Sequence, residues 1–315
     1  MAVTISIGSG KGGVGKTMIL CNLALLLAQR GKKVCLVDLD IGGPDAHLLF
    51  GLFNPKYSLT DFLNRKVDTI QEVLHTFYAF NGLQLIPGSG STLQTANMSF
   101  QEKQRLLRSL RTLDVDVLLI DVGTGTSYHA LDFFMVADIQ ICVTMPEPTS
   151  IMDFYSFLQL ATIRKVLRSF LSSSQVSATL KRARFSSLAE VLDLAEQTQA
   201  GAKKKAMEAL HFFHPLLVIN RDISNAKVNK AKLKEMVSKY LGIEIPSLGN
   251  IPEDKAILEA LKAYMPICEL SPAAPASIAL AQIADKIEKL MELFLTTAKT
   301  KPAKNDPPSS KKESI

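Results

Sequence analysis

Residues 8–17 read GSGKGGVGKT, between an apolar run, VTISIG at 3–8, and a long apolar segment at 17–30 that stops at Gly31. A stretch this rich in glycine continues neither neighbour well, because glycine loses more conformational freedom on ordering than any other residue. The chain is therefore expected to turn here, out of a buried strand and into a helix. Within the turn, Gly10-Lys11-Gly12-Gly13-Val14-Gly15-Lys16-Thr17 fits G-x-x-x-x-G-K-[ST], in the strand-to-helix setting that this pattern needs. In that setting the glycines let backbone N–H groups face a phosphate, and the helix N-terminus adds partial positive charge. Lys16 would reach the β/γ oxygens and Thr17 would offer a hydroxyl to Mg²⁺. A ligand-free glycine turn is the plainer reading, and pattern and context together weigh against it.

The rest of the chain alternates short β-rich runs with helical periodicity. Strands are expected at 33–40 (KVCLVDLD), 83–87, 115–121 (VDVLLID), 139–145 (IQICVTM), 216–220 (LLVIN) and near 247–249. Helices are expected at 99–111, 151–172, 224–241 and 255–263. This order predicts an α/β fold with a doubly wound, mostly parallel sheet, whose ligands sit beyond the carboxyl ends of the strands. Residues 173–213 have helical content but break the strand–helix rhythm, so they are read as a helical insertion. Residues 298–315, AKTKPAKNDPPSSKKESI, are polar, proline-rich and charged, and are expected to form a disordered basic tail behind a single domain at 1–297.

With 315 residues, 47% of them hydrophobic, the chain can bury a full core. No apolar run is long enough to span a bilayer and no signal-peptide pattern opens the chain, which predicts a cytoplasmic protein. The four cysteines, Cys21, Cys35, Cys142 and Cys268, form no CxxC pair, which argues against a zinc site or disulfide framework. The net charge of +6 is uneven: residues 151–215 carry nine Lys/Arg against five Asp/Glu, and residues 296–315 five against two. The basicity lies in the additions, as a surface for nucleic acid or acidic lipid, or as solvated charge alone.

KGGVGKT resembles the deviant Walker A loop of the MinD/ParA family of P-loop NTPases, with its signature lysine at Lys11. The resemblance implies ATP and Mg²⁺ as ligands, with Gly10, Gly12, Gly13, Val14, Gly15, Lys16, Thr17 and Met18 around the nucleotide. It also implies an ATP-dependent homodimer in which Lys11 crosses to the phosphates of the other protomer. Asp38 and Asp40, in VDLDIGGPDAHLLFGL at 37–52, end an apolar strand, where carboxylates are costly unless cations or hydrogen bonds meet them. By the same resemblance Asp40 orients the attacking water, and Asp38 lies near the Mg²⁺ shell. In VLLIDVGTGTS at 117–127, Asp121 takes the Walker B position, and Gly123 and Gly125 form a segment sensing the γ-phosphate. Asn220 and the backbone around Pro252, in GNIPEDKAILEALKAYMPI, would hold adenine; a simple turn at Asn220 is the alternative. Met18 replaces a threonine common in the family, so one hydroxyl contact to the α-phosphate is missing. DVGTGTSYHALDFF and PEPTSI look nearest to the flagellar site-determining, FlhG-like branch.

These features predict a spatial switch: ATP closes a dimer, the dimer engages a protein partner or activator, or a membrane or DNA surface, and slow hydrolysis releases it. A DNA-binding partition ATPase differs only in destination. An Mrp-type iron–sulfur carrier would need paired cysteines. The apolar stripe of Leu280, Ile283, Ile287, Leu290, Met291 and Phe294 is expected to pack on its own domain, leaving the basic residues Lys181, Arg182, Arg184 and Lys203 to Lys205 as the docking surface.

Overall fold

Strands that are apolar on both faces are stable only between two covering layers, and the runs at 3–8, 34–38, 117–121 and 139–144 are of that kind. A computed structural model of the chain describes residues 2–40, 43–88, 98–170, 174–182, 185, 187–223 and 230–300. Its elements in order are β1 (Val3–Gly8), α1 (Lys16–Gln29), β2 (Val34–Asp38), α2 (Leu59–Leu63), β3 (His75–Phe77), β4 (Leu83–Ile86), α3 (Phe100–Leu110), β5 (Val117–Asp121), α4 (Tyr128–Phe134) and β6 (Ile139–Thr144). They continue with α5 (Pro148–Ser169), α6 (Ser174–Arg182), α7 (Leu188–Thr198), α8 (Ala202–His211), β7 (Leu216–Asp222), α9 (Lys230–Leu241), β8 (Ser247–Pro252), α10 (Lys255–Lys262), α11 (Ile267–Leu270) and α12 (Pro275–Thr300).

The strands form one eight-stranded sheet in the order β3-β4-β2-β5-β1-β6-β7-β8. Every pairing is parallel except that of β3 with β4. Alternate strand residues feed two cores: Cys35, Val37, Leu118 and Ile120 meet α2–α9, whereas Val34, Leu36, Val117 and Leu119 meet α1 and α10–α12. α1 is apolar around nearly its whole circumference and accordingly buried, the rule for a helix enclosed by other elements. Its buried Asn22 is an exception with a purpose: Nδ2 donates to Met18 O at 2.8 Å, while Oδ1 accepts the Cys268 N–H at 2.9 Å and ties α1 to α11.

Between α5 and β7 lie α6, α7 and α8, and their Val176, Leu180, Val191, Ala195, Ala206 and Leu210 join the core beside α5. The stripe of α12 is packed inward: Leu280, Ile283, Ile287 and Met291 are buried, and Leu290 and Phe294 lie against the same core. Arg30 of α1 pins this helix through Asp285 at 2.7 Å and Glu288 at 2.8 Å. The helix runs to Thr300, three residues into the segment expected to begin the tail; residues 301–315 lie outside the described residues, as do 224–229 at the start of the helix expected at 224–241. Among the described residues no helix is long and apolar enough to cross a membrane.

Candidate functional site

β1 occupies the middle of the sheet, and the glycine loop leaves its carboxyl end between β5 and β6, where connections run to both sides. Gly13 (φ +76°) and Gly15 (φ +91°) hold the left-handed backbone that L side chains avoid. Gly15 is also the N-cap of α1, so no side chain caps that helix and no acidic residue sits in its first turn. Several other helix starts are satisfied internally, with Ser99 accepting from Glu102 N–H, Ser187 from Glu190 N–H and Asp254 from Ala256 N–H, although α5 and α11, like α1, have no side-chain cap. The uncapped start of α1, with buried Lys16 as its first residue, adds positive potential beside the loop.

Two loop glycines are required by neighbours as well as by conformation. A Cβ at Gly10 would lie 1.9 Å from the Asp153 carbonyl oxygen, so the loop is pressed against the first turns of α5. A Cβ at Gly15 would lie 2.3 Å from Asn220 Nδ2, and that amide donates to Val14 O at 2.8 Å. Asn220 therefore braces the phosphate loop, while its Oδ1 is buried with no partner in the structure. Lys11 Nζ donates to Thr149 Oγ1 at 3.2 Å, and Ser9 Oγ donates to the Lys11 carbonyl at 2.7 Å.

Asp38 and Asp121 are direct neighbours in register at the ends of β2 and β5, and both are fully buried. Asp38 accepts the N–H groups of Asp40 at 3.0 Å and Ala46 at 3.2 Å. Asp121 accepts the Thr17 hydroxyl at 2.6 Å through Oδ2, and its Oδ1 is buried and unpartnered. Burial pushes the Asp121 carboxyl up to about 6, although Lys16 and the Thr17 hydroxyl pull it down. Burial, and then the charge of Asp121, raise Asp38 well above the carboxylate range. Asp40 sits against the segment after β5, where a Cβ at Gly123 would lie 3.2 Å from its Oδ1. The Gly125 N–H donates to Ser9 O at 3.3 Å and links that segment to the phosphate loop.

Asp45 was not singled out from sequence, yet its charge reaches both buried carboxylates and raises them. The signal was its position in the same GGPD turn that carries the chain past the strand ends. The structure thus gathers Asp38, Asp40, Asp45, Asp121, Lys16 and Thr17 at the ends of β2, β5 and β1. Such a concentration of carboxylates around one lysine suits a divalent cation arriving with phosphates. Among the described residues there is no cluster of three His, Cys, Asp or Glu side chains set to hold a metal ion by themselves. Pro252 stands further along, beside Asp222 at the ends of β8 and β7, and Met18 is buried in the first turn of α1.

A second buried carboxylate lies away from these strand ends. Asp132 of α4 accepts hydrogen bonds from Lys103 Nζ of α3 and from Arg164 of α5, through Nε at 2.9 Å and Nη2 at 3.0 Å. Burial alone would raise its pKa, but the Arg164 and Lys103 hydrogen bonds outweigh burial and hold it below the usual range. The Arg164 guanidinium also lies 4.9 Å from the ring centroid of Tyr128, the first residue of α4.

A family model described as "ParA: NUBPL iron-transfer P-loop NTPase" matches residues 1–166. The chain is 26% identical over 286 residues to the antiactivator FleN of Pseudomonas aeruginosa, covering 90% of this chain and 85% of that one. It is 33% identical over 168 residues to the flagellum site-determining protein YlxH of Helicobacter pylori, covering 51% and 54% respectively. The septum site-determining protein MinD of Pyrococcus horikoshii, solved in complex with Mg-ADP, shares the fold with a TM-score of 0.66 at 22% identity, covering 93% of this chain and 98% of that one. On the family match and on a phosphate loop, strand-end carboxylates and sheet order that agree with it, this chain belongs to the MinD/ParA family of P-loop NTPases.

Proposed function

We propose that this protein is a slow, ATP-driven dimerisation switch that positions a partner or structure in the cell, nearest in kind to the flagellar site-determining relatives. The observation that carries the reading is the uncapped start of α1, with buried Lys16, facing the unpartnered Oδ1 of Asp121. A triphosphate supplies the negative charge that the first lacks, and its Mg²⁺ the positive charge that the second lacks. Gly10, Gly12, Gly13, Val14 and Gly15 would cradle the phosphates, Lys16 would neutralise their oxygens, and Thr17 with Asp38 and Asp121 would hold the metal shell. When bound, Mg²⁺ offsets charge on the β- and γ-phosphates.

The other roles belong to the chain itself. Asp40, which lies against Gly123, would orient a water and accept its proton, and a carboxylate is a weak base for that task, which accords with slow turnover. Asn220 Oδ1 offers an acceptor to a base amino group while its Nδ2 keeps the phosphate loop in place, and the backbone near Pro252 would line the base's other edge. Lys11, on a loop that cannot bury it, would cross to the phosphates of a second protomer. Residues 1–297 act as the ATPase unit, with α6–α8 as its helical addition and 298–315 as its basic tail. The protein works in the cytoplasm, and peripheral attachment to membrane or nucleoid would depend on a partner.

Iron–sulfur delivery is disfavoured by the cysteines. All four are free and buried, and burial raises every thiol, so none offers a thiolate to a cluster. The decisive experiment is sedimentation with Mg·ATP. Lys11→Ala is expected to keep nucleotide affinity but stay monomeric with little turnover, and Asp40→Ala to accumulate the ATP dimer. A Lys11→Ala protein as dimeric and active as the wild type would return Lys11 to an ordinary loop residue.

A further inference from the structure

A groove of about 760 Å³ lies between the end of α2 and the outer face of α3, and it shares no residue with the phosphate loop. Three arginines line it: Arg65 after α2, and Arg105 and Arg108 on α3. Arg105 is half-buried and stacked 4.2 Å above the Phe62 ring, which fixes the plane of its guanidinium. Arg108 uses Nε on the Gln104 carbonyl at 3.2 Å. Among the described residues none of the three forms an ion pair. The one carboxylate lining the groove, Glu102, accepts the Ser99 N–H at 2.7 Å, and it feels the charges of Arg105 and Arg65 without forming an ion pair with either. Most of the planar N–H forks, the geometry that matches carboxylates in pairs, thus remain available.

Arg65 adds an observation of a different kind. It closes α2 in the left-handed region at φ +57°, with its N–H donating to Phe62 O and the Lys66 N–H donating to Asp61 O. Glycine is the residue that makes this helix ending without strain. Retaining arginine there costs backbone energy, and its return is a guanidinium on the rim of the groove. Phe100, 71% exposed on the same rim, and buried Leu63 in the wall give the groove an apolar side.

We propose that this groove docks an acidic segment of a partner protein, one that sets carboxylates on Arg65, Arg105 and Arg108 and an apolar side chain against Phe100. The chain itself cannot supply the occupant by charge: residues 89–97, SGSTLQTAN, hold no carboxylate, and residues 301–315 hold two acidic residues against four lysines. A groove of this size accepts a few residues of peptide. The inference stands apart from the ATPase reading, because the groove and the strand-end site have no residue in common.

The test is fluorescence anisotropy with a labelled peptide of glutamate pairs alternating with leucine, beside the same peptide with glutamine for glutamate and a labelled single-stranded oligonucleotide. Wild type is expected to bind the acidic peptide in preference to both. Arg65→Gly, Arg105→Gln and Arg108→Gln are each expected to weaken it by about tenfold. Arg65→Gly is the sharpest variant, since relief of the left-handed strain keeps its melting temperature at or above that of wild type while binding falls. ATP turnover should be unchanged in all three, and the triple variant Lys203→Gln, Lys204→Gln, Lys205→Gln should bind the peptide as wild type does. Absence of peptide binding overturns the proposal. So does equal loss in the lysine triple, which signals diffuse attraction, or tighter oligonucleotide binding through the same arginines, which signals a nucleic-acid surface.

Discussion

Asp132 and Asp121 are both buried carboxylates, and the fold treats them in opposite ways. Around Asp132 the chain supplies two cations from two helices, and the pKa falls below the carboxylate range. Around Asp121 it supplies one lysine and three further carboxylates, leaves Oδ1 without a partner, and the pKa rises to about 6. Burying an unmatched carboxylate costs several kcal/mol unless charge arrives from outside. The first cluster is a closed joint between α3, α4 and α5; the second is an open one, completed by what it binds.

The largest expected break in that comparison is at the open site. Lys16→Ala removes the cation that acts on Asp121, and ATP affinity measured by calorimetry should fall by about a hundredfold or more. Undiminished affinity would sink the assignment of the loop. Next come two carboxylate substitutions of opposite sign, read by urea unfolding without nucleotide. Asp132→Ala leaves Lys103 buried without its partner and should destabilise by about 3–5 kcal/mol. Asp121→Asn, which keeps an acceptor for Thr17 and removes an unmatched charge, should stabilise by about 1–3 kcal/mol and lose Mg²⁺-dependent nucleotide binding. If both variants destabilise alike, the contrast between the joints is wrong.

The smallest effect is in the pH dependence of the nucleotide-free protein. Asp121 has a raised folded pKa, so the folded state holds the extra proton between the ordinary carboxylate value and about 6, and its contribution to stability falls as pH rises through that window. Asp132 has a depressed folded pKa, so its contribution is present above the ordinary carboxylate value and is lost as pH falls through the depressed one. Asp121→Asn should therefore remove the downward slope between about pH 4 and 6, and leave the acid limb that Asp132 shares. An unchanged slope in that variant would place the titration elsewhere.

Six strands of the sheet were legible because a largely apolar run buried between two layers has no other use for so many Val, Ile and Leu residues, whereas β8, partly exposed SLGNIP, was located only approximately, near 247–249. The edge strand β3 was not: His75-Thr76-Phe77 is three residues long, antiparallel, and half exposed, so it carries no periodicity to read. The short helices α2, α4 and α11 escaped for the same reason. Strand-end carboxylates could be picked out because charge at the end of an apolar run is anomalous within a few residues. The Lys103–Asp132–Arg164 cluster was missed because its members are far apart in sequence. One clue was present, since Lys103 occupies the buried stripe of α3 together with Leu106 and Leu110, where an apolar residue is the rule. The brace from Asn220 to Val14 had no such clue, being a contact across 206 residues.

α5 is twenty-two residues long, a rod of about 33 Å. Its first turns press the Asp153 carbonyl onto Gly10 and hold Lys11 through Thr149, three-quarters of the way along it is riveted to α4 through Arg164 and Asp132, and it shares a core with α7 and α8. With that rivet as its pivot, the rod has about 24 Å on the loop side and about 8 Å beyond. A shift at the glycine loop therefore reaches the last turn reduced to about a third, which makes α5 a damper between the loop and the helices behind it.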